Sequence, residues 1–219
     1  MEIHDYPFRP IDSRMYLVIE EGKAFIIDPC VSDEALELLS QNGIKQVEIF
    51  LTHEHYDHIS GVNWWRKRLD VTVICSQNCA ERICDARKNA SAHYDVLFLF
   101  LPKEVQEEAR KIGFESYTCT ADVTFEGQYE KCWAEHRILI DETPGHSKGS
   151  CCIKLDDTIC FTGDSLIKGR KTITRLPEGD RERFKRTKEE YFKSLPIDCR
   201  IFPGHGEPFY MRDINIEEL

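Results

Sequence analysis

Apolar and polar positions change their period several times along the chain, and each change predicts an element. Apolar runs over residues 15–19 and 24–27, interrupted by Glu21, Gly22 and Lys23, predict two strands joined as a hairpin. Beyond Asp28 and Pro29, Ser32 or Asp33 can cap a helix in which Ala35, Leu36, Leu38 and Leu39 form one face. Asn42 and Gly43 supply its left-handed stop. The apolar run 47–51 reads as the next strand. Strand, helix, strand suggests a parallel crossover, whose functional loops gather at the carboxyl ends of the strands. A helix through Val62, Trp64, Trp65 and Leu69 then leads to a strand over 71–75.

The stretch 76–128 has the least regular pattern. It holds a helical segment over 79–88, the apolar run 96–101 and a charged helix over 104–111 ended by Gly113. The run falls far short of the roughly 18 apolar residues that cross a bilayer. It reads as buried core, an inserted helix or a lid over a site. Further strands are predicted over 137–140, 150–155, 158–161 and 200–202, with a helix over 181–195. Strands with helices interspersed on both halves predict a layered α/β sandwich. Its 219 residues suit one domain, 1–219, with an irregular lid or insertion at about 76–128.

Composition narrows the function. A formal net charge of −10 argues against general binding of nucleic acid or an anionic membrane, because polyanions are repelled. Residues 1–10 show no basic region followed by an apolar core, so no export leader is predicted. The ten cysteines are scattered, with no Cys-X-X-Cys spacing, and read as reduced thiols packed as small hydrophobes in a soluble, cytoplasmic protein. Cys75, Cys79 and Cys84 would form a second metal or redox cluster if a helix face gathered them.

The strongest chemical signal directly follows the strand over 47–51, where His53, His55, Asp57 and His58 fan out from a strand-end loop. Three later loops set a ligand-type residue beside glycine: Gly145 and His146, Gly163 and Asp164, Gly204 and His205. Glycine there lets the backbone turn sharply or come close to an ion. Five histidines and two aspartates suit zinc, iron or manganese and exceed what one tetrahedral ion needs, so two ions are the economical reading. His4, His93 and His136 lie outside any such motif.

His53-X-His55-X-Asp57-His58, Thr143-Pro144-Gly145-His146-Ser147, Phe161-Thr162-Gly163-Asp164 and Pro203-Gly204-His205-Gly206 resemble, in order, the metal-binding motifs of the metallo-beta-lactamase superfamily, particularly its glyoxalase II-like hydrolases. Ile26-Ile27-Asp28-Pro29 and Leu176-Pro177-Glu178-Gly179-Asp180 extend the likeness over most of the chain. The resemblance implies a four-layer αββα sandwich with a dinuclear site at one edge of the two sheets. It implies that His53, His55 and His146 hold one divalent ion, foremost zinc, and that Asp57, His58 and His205 hold the other, with Asp164 between them. A metal-bound hydroxide would then attack a small thioester, ester or lactone, with Asp57 also orienting it and receiving a proton. Only residues 206–219 follow the last ligand, which points to the short, single-domain branch. The family also contains persulfide dioxygenases with one iron on two histidines and an aspartate, so that reading stands as the alternative. A catalytically idle metal-binding module is the third.

Around these motifs some roles stay open. Asp28 is either a hydrogen-bond acceptor steadying the His53 loop or a strand-end turn residue. Glu54 and Tyr56 fill variable positions and are expected to face away from the metals. Where the family tends to have Gly-Arg-X-Asp, this chain reads Thr172-Ile173-Thr174-Arg175-Leu176. Basic residues cluster between Lys168 and Lys193. They read as a solvated helix face, or, for Lys168, Arg170 and Lys171, as contacts that draw an anionic substrate to the site.

Overall fold

Two six-stranded sheets form the centre of the computed structural model, which describes every residue except Pro10, Leu101, Gly113, Pro177 and Leu219. The first sheet runs in spatial order β1 (Glu2–Phe8), β2 (Ser13–Glu20), β3 (Lys23–Ile27), β4 (Gln46–Phe50), β5 (Asp70–Ser76) and β6 (Val123–Phe125). Its first three strands pair antiparallel and β3 to β6 pair parallel, with α1 (Asp33–Gln41) making the first crossover. Ser32 caps α1 by accepting a hydrogen bond from the Ala35 N–H. The second sheet contains β7 (Gln128–Trp133), β8 (His136–Glu142), β9 (Cys151–Leu155), β10 (Ile159–Gly163), β11 (Arg200–Pro203) and β12 (Phe209–Tyr210). Among these only β10 and β11 pair parallel.

Strand alternation divides the buried side chains into layers. Leu17, Ile26 and Ile49 face outward onto Ala35, Leu39, Val62 and Trp65 of α1 and of α3 (Val62–Arg66). Their neighbours Val18, Phe25, Ile27 and Phe50 face inward, against Ile138, Ile140, Ile153, Phe161 and Phe202 of the second sheet. On the far side Cys152, Cys160 and Ile201 pack on Phe184 and Phe192, from α6 (Arg181–Glu190) and the 3-10 turn Phe192–Ser194. The expected helix over 181–195 is thus shorter and kinked at Tyr191. These layers are the αββα sandwich.

Between β5 and β6 the chain forms α4 (Gln77–Ile83), a 3-10 segment Ser91–Phe100 kinked at His93, and α5 (Lys103–Ile112). The predicted helix over 79–88 therefore begins and ends earlier, with Ser76 as its cap. Tyr94, Phe98 and Ala109 pack with Phe8, Ile11, Tyr56 and Phe114 into a separate cluster. Among the described residues no helix is long and apolar enough to cross a membrane. Leu101 in the apolar run, Gly113 as a helix stop and Pro177 lie outside the described residues. The ten cysteines are free thiols. Cys75 and Cys79 are buried and Cys84 is exposed, and no cysteine belongs to a potential metal-binding group among the described residues.

Candidate metal centre

The seven ligand-type residues converge where loops of both sheets meet. From Thr52 the chain runs extended, which sends His53 and His55 to the same side. It then turns into the short helix α2 (Tyr56–Ile59), which carries Asp57 and His58. His146 sits in the loop between β8 and β9, while Asp164 and His205 follow the parallel neighbours β10 and β11. That parallel pair sets their loops side by side, joined by the bond from Gly204 N–H to the Gly163 carbonyl at 2.7 Å.

Three donor groups result among the described residues; one, Asp28 with His53 and His58, lies behind the centre, and the other two face it. The His55 Nδ1 lies 3.1 Å from both the His53 Nε2 and the His146 Nε2. In the second set, the Asp57 Oδ2 lies 3.3 Å from the His58 Nε2 and 3.4 Å from the His205 Nε2. Asp164 touches both. Its Oδ1 is 3.4 Å from His58, and its Oδ2 is 3.5 Å from His205 and 3.6 Å from the His146 Nε2.

The other ring nitrogens are held from behind. Asp28 accepts the Thr52 N–H at 2.7 Å and the Thr52 hydroxyl at 2.5 Å on its two oxygens. Its Oδ2 also accepts from the His58 Nδ1 at 2.8 Å. Since the Thr52 hydroxyl donates to Asp28, it accepts from the His53 Nδ1 at 3.0 Å. The Ile173 carbonyl accepts from His146 Nδ1 at 2.8 Å and the Ile11 carbonyl from His205 Nδ1 at 3.3 Å. A proton fixed on each Nδ1 leaves the Nε2 lone pair directed into the centre. Asp28 also has a left-handed φ of 50°, so it is both acceptor and turn residue.

Electrostatics separate the sets. Burial pushes the His53 and His146 pKa values down and takes His55 to about 3, leaving three neutral imidazoles. Burial also opposes charge on His58 and His205, but Asp57 and Asp164 outweigh it, holding His58 well above its usual value and His205 at about 10. Reciprocally, burial works against ionised Asp57 and Asp164, and the two imidazoles overcome it. Two carboxylates buried together create a potential that calls for positive charge. The His58 Nε2 and Asp164 Oδ1 are buried without a partner in hydrogen-bond geometry among the described residues. Lone pairs converging on such atoms fit divalent ions.

The expected contacts outside the seven divide. Glu54 turns away from the centre, accepting the Ser147 hydroxyl at 2.8 Å and lying 3.7 Å from Arg82. Tyr56 packs on Tyr94 at a ring separation of 4.8 Å. Lys168, Arg170 and Lys171 are exposed and line a groove of about 670 Å³ with Asp213 and Ile214, and Lys168 lies 3.9 Å from Asp213. Tyr94 carries no motif; burial first, then the charges of Asp57 and Asp164, hold its phenol well above the usual value. Neither Tyr94 nor Thr52 stands out in the sequence, although a hydroxyl residue directly before His53 at the end of an apolar strand is a signal for Thr52.

Known proteins share this architecture. A Bacillus subtilis protein named probable metallo-hydrolase YqgX is 27% identical over 202 residues, 91% of this chain and 88% of its own length. A hydroxyacylglutathione hydrolase of Prochlorococcus marinus is 24% identical, covering 99% of this chain and 77% of its own. The crystal structure of the B3 metallo-beta-lactamase BLEG-1 superposes with a TM-score of 0.80 at 23% identity, over 96% of this chain and 95% of that one. The sequence profile of the metallo-beta-lactamase superfamily matches residues 9–205, a span that holds both sheets' central strands and all seven converging side chains, and the chain belongs to that superfamily.

Proposed function

We propose that the protein is a hydrolase that uses two divalent ions, foremost zinc, to cleave a small thioester, ester or lactone. The observation that carries this reading is Asp164, whose carboxylate lies within 3.6 Å of histidines from both donor sets. His53, His55 and His146 would hold one ion and Asp57, His58 and His205 the other, with Asp164 shared. When bound, such a pair supplies a polarised carbonyl and water that is nucleophilic near neutral pH. Asp28 and Thr52 orient His53 and His58, while the Ile173 and Ile11 carbonyls orient His146 and His205. Asp57 takes the proton released by the attacking water. Because the ligands come from both sheets, the whole chain acts as one domain.

The names metallo-hydrolase and hydroxyacylglutathione hydrolase among the relatives support hydrolysis and favour thioesters as the substrates to try first. Lys168, Arg170 and Lys171 give an anionic substrate a basic rim to approach. The test is metal analysis of the purified protein, followed by a panel of thioesters, including a hydroxyacylglutathione, with esters and lactones. Two ions per chain and metal-dependent hydrolysis are expected. A single iron per chain with oxygen consumption on a persulfide, and no hydrolysis, would replace this reading with a dioxygenase.

A further inference from the structure

Glu54 is fully buried, yet the extended backbone turns it away from the ion that its neighbours His53 and His55 would hold. A carboxylate taken out of water is costly, and an apolar side chain would fill the position without that cost, so packing gives no reason for the charge. What Glu54 reaches is the loop of His146. Its Oε2 accepts the Ser147 hydroxyl at 2.8 Å, and its Oε1 lies 3.7 Å from the Arg82 Nε. The loop comes so close that a Cβ on Gly149 would stand 2.5 Å from the Glu54 Oε2 and 2.7 Å from the Cys79 Cα of α4.

Arg82 carries the connection to the other side of the same loop. Its Nε and Nη2 donate to the Glu178 Oε2 at 3.2 and 2.9 Å, and its Nη1 donates to the Asn78 carbonyl at 2.6 Å, which fixes the guanidinium on α4. Two residues beyond Glu178, the Asp180 N–H donates to the Gly145 carbonyl at 2.9 Å. The segment leading to Glu178 also supplies the Ile173 carbonyl that accepts from the His146 Nδ1. His146 therefore stands between Gly145, tied to the Glu178 side, and Ser147, tied to Glu54, with the buried Arg82 joining the two carboxylates.

We propose that Glu54 is a positioning residue: with Arg82 and Glu178 it clasps the His146 loop and sets His146 against His53 and His55, the three imidazoles of one donor set. The role rests on the two-ion reading above. His53 and His55 follow a strand of the first sheet and His146 a strand of the second, so their spacing depends on a link between the sheets. Glu54, which lies between two of the three in sequence, makes that link to the third. Zinc–imidazole bonds are about 2.0–2.1 Å long and tolerate little displacement, so a loosened loop lowers affinity at this set and not at the other.

The test titrates zinc against a chelating dye in metal-free, full-length wild type, Glu54→Gln, Ser147→Ala and the double variant, with His146→Ala identifying which affinity belongs to the three-histidine set. Glu54→Gln leaves one oxygen to serve both Ser147 and Arg82, and Ser147→Ala removes the direct tie while keeping the charge. Zinc affinity of that set should fall about 10- to 100-fold in Glu54→Gln and about tenfold in Ser147→Ala, with the other set within about twofold of wild type. The double variant should lose less than the product of the two single losses, because both changes remove one shared contact. Wild-type affinity in both single variants, whatever the Tm of the metal-free proteins, would make the contact one of stability alone and overturn the proposal. Losses that multiply in the double variant would overturn it as well. Should Glu54→Gln not fold, Ser147→Ala decides: a tenfold loss supports the role and wild-type affinity overturns it. A wild type from which His146→Ala removes no zinc affinity would instead remove the two-ion reading, and the role of Glu54 with it.

Discussion

Asp28 meets three donors with two carboxylate oxygens, and that arithmetic makes it sensitive to the mildest substitution. In Asp28→Asn one oxygen becomes an NH2 group, which must face either the Thr52 N–H or the Thr52 hydroxyl and His58 Nδ1. The latter arrangement favours a proton on the His58 Nε2, where a metal should bind. Zinc affinity of the second set is expected to fall about 10- to 100-fold, measured by competition with a chelating dye. Gly204→Ala acts from the other side. A Cβ there would stand 2.2 Å from the Asp164 Oδ1 and 2.7 Å from the His58 Cε1, so the carboxylate must move. Zinc content should drop toward one ion per chain while the far-UV spectrum is unchanged; two tightly held ions would contradict this. At this scale the centre was legible where residues adjoin in sequence, as in His53 to His58, or where glycine marks a close approach. Thr52 was less legible, because its bonds to Asp28, 24 residues away, and to His53 exist only once the fold brings those side chains together.

Among elements, the eight inner strands β2 to β5 and β8 to β11 lie where the apolar runs predict them. The four edges β1, β6, β7 and β12 were not legible. An edge strand pairs on one side only and faces solvent, so its pattern weakens: in β1 only Tyr6 is buried, and β7 reads Gln-Tyr-Glu-Lys-Cys-Trp. The sheets are also joined by polar contacts that no periodicity encodes. Lys131 of β7 pairs with Glu48 of β4, joining the sheets. His136, outside every motif, does the same, with the Nε2 2.6 Å from Glu20 of β2 and the Nδ1 2.8 Å from Asp156 after β9. The hydrogen bond to Asp156 is the largest influence on His136, burial opposes it, and the charges of Glu20 and Asp156 add to the rise, so the pKa is raised. A folded-state pKa above the unfolded value of about 6.5 adds stability in full below that pH and loses it as pH rises through the folded value. His136→Gln should therefore lower the unfolding free energy from urea titration at pH 6, by less than ~1 kcal/mol because the site is partly solvated, and lower it less at pH 9. An equal loss at both values would make the contact one of packing.

For the molecule as a whole, the ligands divide between the sheets: His53, His55, Asp57 and His58 follow β4, and His146, Asp164 and His205 follow strands of the second sheet. Bound ions would thus cross-link the sandwich along one edge. That edge is already fastened by the protein itself. The Cys151 N–H donates to the Thr52 carbonyl at 2.7 Å, the Arg14 N–H to Gly204 at 2.8 Å and the Tyr16 hydroxyl to Pro203 at 2.7 Å. With an apolar layer between the sheets as well, folding does not wait for metal, in contrast to small domains whose only core is the ion. Metal should instead add stability by mass action. Free zinc at a hundred times the dissociation constant of a site contributes ~2.7 kcal/mol. In a chain of this length that corresponds to a rise of about 5–10 °C in Tm per ion. Chelation should accordingly lower Tm in two separable steps as the weaker and then the tighter ion leaves, with the far-UV spectrum retained at 25 °C. Collapse of that spectrum on removing metal would mean that the bonds from Cys151 and Arg14 depend on the ions, and that the centre holds the sheets together rather than resting on them.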